Sequence, residues 1–338
     1  MRNKLLHMIY LLVFCMAVTC CVKVDPIADE ASRHLVGYEV IENKPVTKAA
    51  FPTSETFMSK AYKLTSGRTW DADKGSATAY FNSQTEEVKF IDSYWKTEHD
   101  YYWPQDGGSL TFFSYAPKSL GANITTDGVS ISNWNVETKA GQVILVADIA
   151  KDKTKNESYA GFSGVPTLFR HKLSKVSFRV AKSAYAEEGI DVSIKSIKIV
   201  DIYTKGNYTR GGYENDAWSE WSEQKTTLDP YIVYDSGATP VVVDNTPVQK
   251  GEDMIMIPQM LSQDGSRHPR VIVEYKTSTE PDITTAECFF VENFRSGQWA
   301  RGNHYTYTIY IGVGQYPIEF DGSVSVWSTT DMGTTIVQ

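Results

Sequence analysis

Four cysteines and six histidines are the residues best able to do chemistry in this 338-residue chain. Cys20 and Cys21 are adjacent, Cys15 lies in an apolar run, and Cys288 stands alone in "TAECFFVEN". Adjacent cysteines rarely bridge each other, and a bridge from either one to Cys288 leaves an odd thiol. The histidines are scattered, with none at ligand spacing from a cysteine, so a zinc site lacks its ligand set. What remains for the pair is covalent attachment of lipid. Signal peptidase II needs small or apolar residues before a cysteine whose thiol takes diacylglycerol. Ala17-Val18-Thr19-Cys20 and Val18-Thr19-Cys20-Cys21 both fit loosely, and Cys21, with Val18 and Thr19 upstream, is preferred over Cys20.

Other constellations fail on their own terms. "GFSGV" has Gly161 and Ser163, but Gly164 and Val165 follow, so the G-x-S-x-G elbow is broken. "GVGQYP" lacks the third glycine of a dinucleotide loop, and the chain has no P-loop, H-E-x-x-H or C-x-x-C. "DADKG" (71–75) starts like a calcium loop without the remaining ligands, and reads as a solvated turn. "WSEWSE" (218–223) is ordinary strand sequence. His171 in "LFRHKLSKV" sits in an alternating strand, where a packing role is the plain expectation. Nothing here predicts an enzyme, a metal or a cofactor.

The elements around these residues are an export signal followed by strands. Arg2 and Lys4 precede an apolar stretch, Met8–Val18, too short to span a bilayer comfortably. Residues 1–20 therefore read as a lipoprotein signal peptide. Losing them removes two cations and no acid, moving the net charge from −8 to −10. Such a balance excludes nucleic acid as a partner, since phosphate binding needs concentrated Lys and Arg. A lipidated terminus places the precursor on the outer membrane, at the cell surface.

Period-two alternation then dominates. Val176, Phe178 and Val180 share one face; so do Tyr305, Tyr307, Ile309 and Ile311, and Val271, Val273 and Tyr275. In "VSIKSIKIVDI" the phase slips between Ile194 and Ile197, which predicts a β-bulge near Lys195-Ser196. "SAYAEEG" (183–189) has room for two helical turns at most. The fold class is all-β. The polar stretch 151–166 marks a boundary, giving a leader with one strand (21–48), an N-terminal β-sandwich (49–166) and a C-terminal one (167–338). Most of the eight Trp are expected in the cores.

Four segments in order resemble the fimbrillin family of the Bacteroidia, subunits of type V pili. They are "DYYWPQDGGSLTFFSYAP", on Tyr102, Trp103, Pro104, Leu110, Phe112, Tyr115 and Pro117; "VPTLFRHKLSKVSFRV", on Phe169, His171, Leu173, Ser174, Lys175 and Val176; "MIMIPQML", on Ile257, Pro258, Gln259 and Leu261; and the run from Trp299 through Gly302, Tyr305, Tyr307 and Ile309 to Trp327. The resemblance implies two tandem transthyretin-like β-sandwich domains. It also implies a trypsin-like protease that removes the leader, opening a groove for another subunit's strand. Here the leader strand would be Leu35 to Ile41 and the cut would fall between Lys48 and Ala49, where the family usually carries Arg. The donated strand would be C-terminal, on Thr335, Ile336 and Val337.

The leading expectation is a non-enzymatic pilus subunit or pilus-associated adhesin, partnered by other pilin subunits and by a host protein or glycan. The second is a monomeric surface lipoprotein that binds host or dietary glycans through exposed aromatics.

Overall fold

The computed structural model describes residues 35–42, 51–82, 84–159, 162–186, 188–210, 220–280, 282–312 and 318–327. Cys20, Cys21, Lys48, Ala49, Thr335, Ile336 and Val337 lie outside the described residues. The described chain is all-β, with one short helix at Trp70–Asp73. Residues 71–75, read as a turn, lie in that helix and the 3₁₀ turn Lys74–Ser76 that follows it, with Asp71 bonded by Lys151. Residues 183–189 make turns, with no helix among those described.

Strand β1 (Tyr38–Glu42) comes first. It is followed by β2 (Phe57–Leu64), the hairpin of β3 (Glu86–Ile91) and β4 (Tyr94–Thr97), and β5 (Ser109–Ala116). β6 (Gly128–Asn135) leaves for another sheet, while β7 (Leu145–Ala147) and β8 (Phe162–His171) return to the first. Pairing runs β5–β7–β8–β1–β4–β3–β2 and back to β5, so seven strands close a ring. Closure removes the sheet edges that would otherwise offer unpaired backbone to another chain. Phe51, Phe57, Phe112 and Phe169 fill it, with Phe57 and Phe169 at 5.2 Å in an edge-to-face contact. The break expected between residues 166 and 167 falls inside β8, whose pairing with β1 and β7 continues to His171.

The rest of the chain contributes β9 (Ser174–Lys182), β10 (Val192–Val200), β11 (Lys205–Thr209), β12 (Trp221–Lys225), β13 (Arg270–Thr277), β14 (Thr284–Phe289), β15 (Asn303–Ile311) and β16 (Ile318–Val326). β9, β15 and β16 form one sheet and β10, β13 and β14 another. Their buried faces carry the alternating residues the sequence predicts: Val176, Phe178 and Val180 on β9, and Tyr305, Tyr307, Ile309 and Ile311 on β15. The slip in β10 is a bulge, with register lost between Ile194 and Ser196, and Val192, Ile194, Ile197 and Ile199 all stay fully buried. β6 pairs β11, and β11 pairs β12, so one sheet is built from distant parts of the chain.

Where these parts meet, three ionised groups are taken out of water. Lys172, between β8 and β9, donates to Glu220 at 3.0 Å, and Arg301 pairs the other carboxylate oxygen. Lys172 and Glu220 are wholly buried and Arg301 nearly so. Burial lowers the Lys172 ammonium to about 8, with Glu220 opposing the shift. The Trp221 indole N–H caps the Lys172 carbonyl at 3.2 Å. Glu220→Ala would strand two buried cations and is expected to cost about 3–5 kcal/mol. Denaturant unfolding of the precursor measures this; a loss under 1 kcal/mol would show that water reaches the cluster.

Candidate functional site at the leader strand

β1, the strand expected to be the leader, is seated between β8 and β4 by packing and backbone bonds on both sides. Val36 and Tyr38 alternate into the core and Val40 packs against it from partial burial. The Tyr38 ring meets Phe57 and Phe112 edge-on at 5.5 and 5.8 Å. Its hydroxyl donates to Ser59 Oγ at 3.0 Å, and the Ser114 hydroxyl donates to the same oxygen at 2.9 Å. Burial pushes the Tyr38 phenol far above its ordinary range, so it stays a neutral donor.

Backbone bonds fix the strand on both sides. β1 runs parallel to β8 through five paired residues, Tyr38↔Val165 to Glu42↔Phe169. On the other side it meets β4 antiparallel, at Tyr38↔Trp95 alone, with an antiparallel bridge at Leu35↔Tyr102 and a Val36 N–H bond to the Tyr101 carbonyl at 2.8 Å. The Val165 N–H donates to the Gly37 carbonyl at 2.7 Å. Because alternate residues point to opposite sides, Pro166, which has no N–H to give, faces away from β1.

Two residues outside the sequence's candidate set complete the seat. Asn156 clamps the strand, its amide donating to the Leu35 carbonyl at 2.8 Å and its oxygen accepting from Gly37 N–H at 3.2 Å and from the Trp103 indole at 3.1 Å. Gly164 lets the strands touch, since a Cβ there would sit 2.4 Å from the Tyr38 carbonyl carbon and 2.6 Å from Glu39 N. Both lie in the polar, glycine-containing stretch 151–166 that reads as a domain boundary. A neighbouring polar group supports the same wall: Glu86 accepts from the Tyr101 hydroxyl and from His99 Nδ1, each at 2.9 Å. The hydrogen bond to Glu86 holds the His99 imidazole above its ordinary value, and burial with Glu86 pushes the Tyr101 phenol up to about 12.

Elsewhere, the tempting side chains pack. His171 stacks on Trp327 at 3.8 Å, nearly coplanar. Seven Trp are buried, and Trp218 lies outside the described residues. Cys288 is a buried free thiol pushed up to about 12 by burial, a poor nucleophile. Ser177, Asp253 and His304 cluster, but Ser177 Oγ sits between Asp253 Oδ1 (2.5 Å) and His304 Nε2 (2.7 Å). A catalytic triad needs the imidazole between hydroxyl and carboxylate, so this order does not deliver the serine proton to a His held by Asp.

Two tests follow from this geometry. Gly164→Ala should cost the precursor about 1–3 kcal/mol of overpacking strain and leave a form lacking residues 35–42 nearly unchanged, read by thermal melts of both. The His99–Glu86 pair contributes fully below the unfolded-state His value and is lost as pH rises through the raised folded value. NMR titration should show the His99 midpoint falling in Glu86→Gln.

With the fold and the seat established, known proteins can be set beside them. A fimbrial protein from Bacteroides vulgatus superposes with a TM-score of 0.59 at 15% identity, over 87% of this chain and 99% of the other, which supports the shared fold. The tip fimbrial protein Mfa3 from Porphyromonas gingivalis, in a C-terminally truncated form, covers 81% of this chain and 95% of its own at 9% identity, with a TM-score of 0.42, too low to add to that argument. A comparison with curated proteins finds no match. The family model described as Fimbrillin-like matches residues 70–327, which takes in the ring strands from β3 onward, the buried Lys172–Glu220–Arg301 cluster and all the strands from β9 to β16, and the chain belongs to that family.

Proposed function

We propose that this chain is a non-enzymatic, cell-surface pilus subunit or pilus-associated adhesin, assembled by exchange of β1 for a strand of another subunit. The carrying observation is that β1 is one link of a closed ring, joined downstream to the fold only through residues 43–50. Phe51 follows immediately and is anchored, stacked on Phe169 at 5.0 Å and edge-on to Trp95 at 5.6 Å. A cut between Lys48 and Ala49 would leave Phe51 in the core while β1 kept only noncovalent hold. Its loss would expose the facing edges of β8 and β4 and the pocket of the Tyr38 ring. An incoming strand restores both the backbone bonds and the burial.

The same reading has the precursor exported as an outer-membrane lipoprotein through Cys21, or Cys20, with the lipid leaving with the leader. Two transthyretin-like sandwiches fit the ring of β1–β5, β7 and β8 and the paired sheets of β9, β15, β16 and β10, β13, β14. The donor is the C-terminal segment with Thr335, Ile336 and Val337. Partners are other pilin subunits and, for an adhesin, a host protein or glycan.

Limited trypsin treatment of purified precursor should shorten it near residue 48 and yield polymers whose length rises with concentration. Lys48→Ala should block both. A cleaved product that stays monomeric at all concentrations would remove the stalk role.

A further inference from the structure

Among the described pairings, only two are parallel, and the β1–β8 ladder is the one inside the ring. β4 and β8 flank β1 on opposite sides and run in opposite directions, so any strand between them is parallel to one and antiparallel to the other. The leader takes the arrangement that makes its long, five-residue ladder parallel and its single Trp95 pair antiparallel. Parallel ladders are slightly less stable per residue than antiparallel ones. A strand entering the other way gives up the short antiparallel contacts at Trp95, Tyr101 and Tyr102 and gains an antiparallel ladder along β8.

A second, independent observation lies at one end of the same slot. Tyr38 opposite Trp95 sends residues 39–42 toward the tip of the β3–β4 hairpin. That tip is a two-residue turn, Asp92-Ser93, with both residues in the left-handed region (φ 53° and 70°), which asparagine and glycine usually fill. It holds Phe90, Ile91 and Tyr94 in solvent, with Tyr94 66% exposed. Other described large apolar side chains are exposed too, but these three flank one two-residue turn beside the slot's mouth, Ile91 and Tyr94 as a cross-strand pair and Phe90 against Trp95.

We propose that the donor strand, the C-terminal segment of a second copy of this chain, enters reversed relative to β1. It then runs antiparallel to β8, and the donating subunit emerges at the hairpin tip, where it covers Phe90, Ile91 and Tyr94. This rests on the strand-exchange reading above and adds to it a direction and a contact surface. Direction decides the surface: a donor running as β1 does would emerge instead beside Tyr102, at the other mouth.

Two double variants of the full chain, each processed with trypsin and oxidised, separate these outcomes. Residue 331 precedes the donor strand, so Tyr94→Cys with Asp331→Cys should give a covalent ladder on a non-reducing gel. Tyr102→Cys with Asp331→Cys should not. Cys288 is buried and poorly ionised, and cleavage after residue 48 removes the other native cysteines. Ladders from the Tyr102 pair, or polymers that cross-link through neither pair, overturn the proposal and leave strand exchange standing. An absence of polymers in both variants and in the unsubstituted chain overturns the exchange reading and this one with it. Ile91→Ser with Tyr94→Ser, both at exposed sites, should lower polymer yield about tenfold at fixed concentration with an unchanged melt of the cleaved monomer, the effect of losing one well-buried aromatic contact.

Discussion

A sheet closed on itself has no edge, and in this fold closure passes through the five residues Tyr38–Glu42. The residues around them hold this strand by backbone bonds and packing from both sides. Gly164 gives up its side chain so that the two backbones can touch, and Asn156 spends its amide on bonds to Leu35 and Gly37. The Tyr38 ring completes an aromatic core shared with Phe57 and Phe112. A strand held by backbone bonds and by side chains at every second position can be replaced by any strand with similar alternation. That interchangeability is the physical basis of the proposed strand exchange.

The rest of the chain is held together by contacts that do not involve that strand. β6 and β11 join distant parts of the chain in one sheet, and the Lys172–Glu220–Arg301 cluster sits beside it. Buried ion pairs are weak sources of net stability, because desolvation offsets their attraction, but each member becomes costly to separate from the others. The cluster therefore penalises any displacement of β8 and β9 relative to the 220 and 301 regions. β8 is also the strand along which β1 makes its five-residue ladder, so holding β8 in place holds the seat of β1.

Much of this was legible in the sequence, and the parts that were share one cause. Val176, Phe178 and Val180, the Tyr305–Ile311 alternation and the slip at Lys195-Ser196 all appear as predicted, because a strand with one buried face must alternate locally. Family motifs from Tyr102 to Trp327 placed the chain correctly as well. What could not be read was any feature set by partners far along the chain. Asn156 and Gly164 lie in the stretch read as a domain boundary, and their role exists only once residues 35–42 lie beside them. Nothing local in the sequence announces that Lys172 and Glu220 will be buried together with Arg301 beneath the Trp221 indole.

The sequence by itself determined the strands, the bulge and the family, because each is written in nearest-neighbour chemistry. Only the tertiary structure decided that the leader strand is a parallel link in a closed ring, and that an apolar hairpin tip stands beside the end of its slot. Strand order and direction depend on pairings such as Tyr38↔Val165, more than a hundred residues apart, where alternation fits either neighbour and either direction equally well.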